Sequence, residues 1–315
     1  MFDLLTIGRI SVDIYGQEEG AGLADPQTFH KAVGGSPTNV AIGTARLGHK
    51  AGVITGVADD SLGNFALAEL DKFKVSTEFV SILPGKTPVV LAGLKIPDNP
   101  ELIFYRDPDA PDTQMDLSPG MKSAVTSSRL FWYTGSTLSH PKLRNTVHAL
   151  LESRPLIYGK ENIFDLDYRP SFWKDELEAH KEIFAAIKYA TVVIGNRKEA
   201  AVATGLPVET RLEEFARVLI GLGARLAIIK DGANGVFLAH EGRSEMVPGI
   251  RVKTRCGLGA GDAFGAGVVH GLLEGWRPEE SIRFANAAGA YVASQLMCSD
   301  AMPTQAQVLA LMDKS

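Results

Sequence analysis

Apolar residues fall along the 315-residue chain in short runs that alternate with segments of helical period. Leu4–Gly8 reads as a buried strand. Ser36-Pro37-Thr38-Asn39-Val40 then opens a helical stretch to Leu47, with Ser36 as the expected N-cap, Pro37 at the first helical position and Gly48 as terminator. Ser61–Lys74 carries Leu62, Phe65, Leu67 and Leu70 on its apolar side and predicts a second amphipathic helix. Val89–Ile96 and Leu102–Arg106 are β-rich runs joined by Pro97-Asp98-Asn99-Pro100, which predicts a hairpin inserted into the alternating pattern. Beyond a Pro/Asp-rich stretch at 107–119, strand-like runs recur at Leu130–Tyr133, Asn162–Leu166, Thr191–Ile194, Leu226–Lys230 and Val236–Ala239. Helical patterns near 141–153, 174–189 and 210–222 separate several of them, and helices near Gly261–Glu274 and Pro278–Leu296 close the chain. This alternation implies right-handed crossovers and an α/β fold whose mostly parallel sheet is covered by helices. A ligand is then expected at the carboxyl ends of the strands. No fixed-period repeat or low-complexity linker marks separately folding halves.

Composition narrows the functional classes. With 45% hydrophobic and 22% charged residues, the chain can bury a sizeable core. The net charge of −5 comes without a basic stripe, so nucleic acid is not an expected partner. The N-terminus lacks a positive leader region and no apolar run approaches a membrane span, so a cytoplasmic protein with no membrane partner is expected. The two cysteines, Cys256 and Cys298, form no Cys-x-x-Cys and read as ordinary thiols.

The densest chemical signal is Gly257-Leu258-Gly259-Ala260-Gly261-Asp262-Ala263-Phe264, where glycines precede one carboxylate and an apolar helix. Unobstructed N–H groups at a helix start bind an anion, and the helix dipole adds to the attraction. An acid in the first turn then stands beside a bound phosphate and can accept a proton from an attacking hydroxyl, which makes Asp262 the candidate base. The alternative is that Asp262 only complements the helix terminus. Other phosphate motifs fail: Gly85-Lys86-Thr87 lacks the earlier Walker glycine, which is Val80, and Phe264 breaks a dinucleotide fingerprint. The seven histidines show no ligand spacing, and His270 reads as a packed residue.

Taken together, these motifs resemble the ribokinase-like, PfkB-type carbohydrate kinases over essentially the whole chain. Gly34-Gly35-Ser36-Pro37-Thr38-Asn39-Val40-Ala41 is similar to the family's N-terminal signature, and Gly259-Ala260-Gly261-Asp262-Ala263-Phe264, about 220 residues on, to its C-terminal one. Asn196-Arg197-Lys198-Glu199 matches the family's Asn-x-x-Glu element. The resemblance implies an α/β kinase core at 1–12, 34–87 and 108–315, closed by a small β-lid at 13–33 and 88–107. It also implies ATP and Mg²⁺, with Asp262 as base and the amides of Gly259, Ala260 and Gly261 holding the transferring phosphoryl group. Asn196 and Glu199 would organise the metal indirectly. Asp13, Gly34, Gly35 and Asn39 would meet substrate, while Asn196, Lys230, Gly232, Gly235, Gly259, Gly261 and Asn286 would meet nucleotide. Where many relatives carry Asp-Thr-Thr, this chain has Cys256-Gly257-Leu258, which puts potassium activation in doubt. Exposed lid strands are able to pair between subunits, which leaves a homodimer through the lid open.

The substrate must be read from the pocket walls. Phe104-Tyr105-Arg106 and Asp165-Leu166-Asp167-Tyr168-Arg169-Pro170 offer two arginine forks, which suit a carboxylate better than a neutral sugar. Tyr105, Arg106, Asp167 and Arg169 are therefore expected at a sugar acid, unless Arg169 pairs internally with Asp165 or Asp167. With Trp173 and the late Asp300-Ala301-Met302-Pro303-Thr304, these segments resemble the branch acting on 5-dehydro-2-deoxygluconate in inositol breakdown. A 2-keto-3-deoxygluconate kinase is the alternative, followed by a fructokinase or ribokinase, or a non-catalytic sugar-acid-binding regulator.

Overall fold

A computed structural model of the chain describes residues 1–18, 20–25, 28–157 and 159–314. The first strand, β1 (Leu4–Ile7), is followed by β2 (Ser11–Gly16), β3 (Phe29–Gly34), helix α1 (Ser36–Arg46), β4 (Ala51–Ala58), α2 (Ser61–Lys72) and β5 (Val80–Leu83). The inserted hairpin is β6 (Val89–Gly93) and β7 (Glu101–Tyr105). Beyond it come α3 (Pro119–Ser127), β8 (Leu130–Thr134), α4 (Pro141–Ser153), β9 (Glu161–Asp165), α5 (Glu176–Ile187), β10 (Val192–Asn196), α6 (Arg197–Thr204) and α7 (Leu212–Gly221). The chain ends with β11 (Leu226–Lys230), β12 (Val236–His240), β13 (Arg243–Val247), α8 (Ala260–Glu274), α9 (Pro278–Ala293) and α10 (Gln305–Met312).

Among the described residues, nine strands form one sheet in the order β13-β12-β11-β10-β9-β8-β1-β4-β5. Its strands pair in parallel except at the β11–β12–β13 edge. Both faces are buried, which is why the central strands read as unbroken apolar runs rather than as alternating ones. One face carries Phe131, Tyr133 and Phe164 against helices that include α4 and α5. The other carries Trp132, Ile163 and Ile194 against residues of α8 and α9. The chain winds from β1 to β4 on one side and returns to β8 on the other, so the β1/β8 boundary is a topological switch point.

A second sheet, β3-β2-β6-β7, stands apart from the first; its outer pairs are antiparallel and its central β2–β6 pair is parallel. It gathers the two segments expected as the lid, with strand limits at Ser11 and Gly34 in the first and at Val89 and Tyr105 in the second. Residues 19, 26 and 27 of the first segment lie outside the described residues. The expected cap of α1 moves by one position: Ser36 is the first helical residue, and Gly35 caps it with φ 102°. Only glycine suits this point, since a Cβ there would lie 2.3 Å from the carbonyl oxygen of Arg9. No helix among the described residues is long and apolar enough to cross a membrane.

Candidate active site

The carboxyl ends of five neighbouring parallel strands deliver polar residues to one edge of the large sheet. Arg9 follows β1, Ser136 follows β8, Asp165 ends β9 with Asp167 and Arg169 beyond it, Asn196 ends β10 and Lys230 ends β11. The N-termini of α1 and α8 meet them there. Asn39, on the first turn of α1, donates from Nδ2 to Oδ2 of Asp262 on the first turn of α8 at 2.8 Å. One hydrogen bond thus joins the two glycine-bearing segments that lie so far apart in sequence. Oδ1 of Asn39 is buried without a partner, so an acceptor remains beside the carboxylate.

Burial pushes the Asp262 carboxyl above its ordinary range, opposed by hydrogen bonds from Asn39 and Ser36. A base held this way has greater affinity for a proton than a solvated carboxylate. The turn before it depends on Gly259, the α8 N-cap, which has φ 84°; a Cβ there would meet Sγ of Cys298 at 2.7 Å. Both cysteines are free and buried.

Beside this turn lies a cleft of about 690 Å³, a size suited to a drug-sized ligand or cofactor. Lys230, Gly232, Gly235, Ala260, Gly261 and Asn286 line it, so most of the expected nucleotide residues converge there. Gly259 and Asn196 are not in its wall. The amide of Asn286 is turned to the carbonyl oxygen of Pro248 at 2.9 Å. Burial works against the Lys230 charge, yet Asp165, Glu199 and Asp262 outweigh it and raise its pKa, which keeps an ammonium beside the glycine turn.

The acceptor side is crowded with charge. Asp13 on β2 is buried against Gly34, accepts from Ser11 Oγ at 2.7 Å, and is pushed up to about 6 by burial. Asp165 is driven well above its usual range by burial, with Asp167, Glu199 and Asp262 adding to the shift and Lys230 opposing it. Asp167 has a left-handed backbone, φ 27°, uncommon outside glycine and a mark of local strain. Its Oδ2 accepts from Ser136 at 2.6 Å and its Oδ1 from Nε of Arg169 at 2.9 Å. The internal pairing considered for Arg169 is therefore present. Its side chain remains 36% exposed, and among the described residues only Nε is hydrogen-bonded.

Two of the residues expected at the sugar acid have particular surroundings. Arg106 is not an open fork, because its Nη2 and Nε both donate to Oδ2 of the fully buried Asp112, at 2.8 and 3.3 Å. Tyr105 is 63% exposed. Successive side chains on a strand face opposite ways, and on β7 it is Phe104 that turns inward onto Phe172, with ring centroids 5.2 Å apart. A further arginine lies here that carries no motif in the sequence: Arg9 is only 8% exposed, packed against Phe104 and Phe172. A charged residue straight after an apolar strand and before another, in Ile7-Gly8-Arg9-Ile10, was the available signal.

Asn196 and Glu199 form a reciprocal capping box at the start of α6: the Asn196 side chain accepts from the Glu199 amide at 2.9 Å, and Glu199 Oε2 from the Asn196 amide at 2.7 Å. This leaves Oε1 of the buried Glu199 uncommitted to the cap. With Asp165, Asp167 and Asp262 nearby, the donor set is hard carboxylate oxygen, which fits Mg²⁺. Elsewhere, His270 is brought to within 2.7 Å of His49, with Glu274 alongside, at the opposite end of α8 from Asp262.

Comparison with known proteins agrees with this arrangement. The pfkB family carbohydrate kinase pattern matches residues 1–305. A 5-dehydro-2-deoxygluconokinase of Bacillus anthracis (strain CDC 684 / NRRL 3495) is 30% identical over 321 residues, covering 99% of this chain and 95% of that protein. The crystal structure of a PfkB protein from Polaromonas sp. JS666 superposes with TM-score 0.85 at 27% identity, covering 98% of this chain and 100% of that one. An E. coli protein solved in complex with ATP and Mg²⁺ superposes with TM-score 0.86 at 18% identity over the full length of both chains.

Proposed function

The chain belongs to the pfkB family of ATP-dependent carbohydrate kinases, and from that membership we propose that it phosphorylates the terminal hydroxyl of 5-dehydro-2-deoxy-D-gluconate, giving the 6-phosphate. The observation that carries the chemistry is the part-buried Asp262–Asn39 hydrogen bond, directly after Gly261 in the cleft wall. In this reading the acceptor hydroxyl lies against Asp262 while the γ-phosphoryl group of ATP lies on the N-terminal amides of α8 at Ala260 and Gly261. The hydroxyl oxygen forms the new bond to phosphorus as the bond from phosphorus to the β,γ-bridging oxygen breaks. The proton passes to Asp262 and ADP departs. Lys230 opposes the charge that gathers on the phosphoryl oxygens. Glu199 and the neighbouring acids would hold Mg²⁺, which would supply further neutralisation of phosphate charge. Asn39 orients the base and Asp13 accepts from substrate hydroxyls.

The acid half of the proposal rests on guanidinium density at the acceptor side and on the 30% identity to a kinase of that name. The small sheet, closing over the acceptor, excludes water that would otherwise take the phosphoryl group. We place the enzyme in the cytoplasm. The test is ADP release measured against 5-dehydro-2-deoxygluconate, 2-keto-3-deoxygluconate, fructose and ribose. Highest kcat/KM on the first supports the reading. Preference for fructose or ribose would reject the sugar-acid assignment and leave a neutral-sugar kinase.

A further inference from the structure

Burying a guanidinium costs several kcal/mol unless its N–H groups find acceptors. Arg9 meets that cost without a visible return. It is 8% exposed, and its Nε is buried with no hydrogen-bond partner. Its carbon Cζ lies 5.4 Å from the ring centroid of Phe104 and 5.5 Å from that of Phe172. Aromatic faces attract the positive charge, but they do not satisfy in-plane N–H donors. The acids whose charge reaches Arg9 already have partners, Asp13 accepting from Ser11 and Tyr15 and Asp167 from Ser136 and Arg169, and Arg106 is paired with Oδ2 of Asp112. The one guanidinium of this group without a carboxylate of its own is also the most deeply placed at the switch point.

We propose that Arg9 is the anchor for the substrate's carboxylate, the group that distinguishes a sugar acid from a neutral sugar at this site. The inference rests on the sugar-acid reading above. A carboxylate supplies two oxygens in one plane, which matches the donor edge of a guanidinium whose plane is held by aromatic neighbours. Phe104 comes from β7 of the small sheet and Phe172 from the turn after β9, so the Arg9 pocket is complete only when the two sheets are together. Arg169 and Arg106, fixed by their own aspartates, add charge without being the principal contact.

The test uses the full-length enzyme, with Arg9→Gln and Arg9→Lys, and 5-dehydro-2-deoxygluconate as the probe. Arg9→Gln is expected to raise KM for the sugar acid about 100-fold, the scale for truncating one partner of a buried charged pair, with KM for ATP within about threefold. Arg9→Lys keeps the charge but loses the planar fork, and about a tenfold rise is expected. A purely structural role would instead lower kcat, raise KM for ATP and lower the melting temperature together. That pattern, or an unchanged KM for the acid, would overturn the proposal while the substrate reading stands. Should Arg9→Gln fail to fold, Arg9→Lys decides by the same criterion. If the unmutated enzyme turns over neutral sugars and no sugar acid, the substrate reading fails and the anchor falls with it.

Discussion

Replacing Asp262 by Asn separates proton acceptance from every other task the position performs. The amide matches the carboxylate in volume, and its oxygen can still accept from Asn39 Nδ2, now 2.8 Å from Asp262 Oδ2. Its NH₂ group then stands where the second carboxylate oxygen was, and it cannot take a proton from the acceptor hydroxyl. Removing a general base lowers kcat by about 10²–10⁴, which corresponds to about 2.7–5.4 kcal/mol in the barrier. Stability is expected to move the other way. Burial, the largest influence on Asp262, holds its folded-state pKa above the unfolded value, so the folded protein loses stability as pH rises through the interval between the two. At neutral pH the ionised acid is a net cost, and the neutral amide removes it. The loss of one charge-assisted hydrogen bond to Asn39 offsets part of that gain. Nucleotide affinity should remain within about threefold, because the α8 amides are untouched. ADP release at saturating ATP, calorimetric nucleotide binding and thermal unfolding together read these outcomes, with a melting temperature equal to wild type or raised by ~1–3 °C. Activity within about tenfold of wild type in a folded variant would remove Asp262 from proton transfer. Activity lost together with nucleotide affinity would make it a binding residue.

Other consequences follow from named groups. Asp13, raised to about 6, keeps a proton in the folded state that the unfolded chain releases. Its contribution to stability should therefore fall as pH rises from about 4 to about 6 and then level off, and Asp13→Asn should flatten that part of a melting-temperature profile. If the ionised form binds sugar, log KM for the sugar acid should climb as pH drops below about 6 in wild type. Turnover should be abolished by chelation and restored by Mg²⁺. Exchanging sodium for potassium should change kcat by less than about twofold, because Cys256 and Leu258 offer no hard oxygen ligand; a tenfold rise would show that carbonyl oxygens alone build a potassium site. Arg154, remote from the cleft, donates to Asn162 Oδ1 at 2.6 Å, to the carbonyl oxygens of Ser128 at 2.9 Å and Arg129 at 2.8 Å, and to that of Val125. Arg154→Met should cost about 2–4 kcal/mol in denaturant unfolding, the scale of leaving several buried neutral acceptors without a donor, with little change in kcat/KM, and equal loss of both would contradict its purely structural role.

Much of the architecture is legible because strand and helix periods differ and the parallel strands are short apolar runs. Leu226–Lys230 and Pro141–Ser153 fall where the pattern places them. Ala51–Ala58 escaped notice because two glycines dilute its apolar character, although every residue of it is buried in the sheet. Arg243–Val247 is an exposed edge strand held by its ladder to β12, and its side chains carry no apolar alternation. At the site, the glycine turn and Asp262 announce themselves because backbone geometry demands particular residues there. Side-chain burial does so less well. Phe104-Tyr105 tells that two aromatics face opposite ways, but which one faces inward depends on how the small sheet packs. Arg9 looks like a surface residue until Phe104 and Phe172, distant in sequence, are seen against it. Arg106 and Arg169 are visible as cations, while their capture by Asp112 and Asp167 is a tertiary fact.

The most direct measurement is ³¹P NMR of the product formed from ATP and 5-dehydro-2-deoxygluconate. Transfer to the terminal hydroxyl is expected to give, alongside ADP, a new phosphomonoester signal coupled to the two protons of one methylene group. ADP accompanied only by inorganic phosphate, or a phosphomonoester coupled to a single CH proton, would contradict the account.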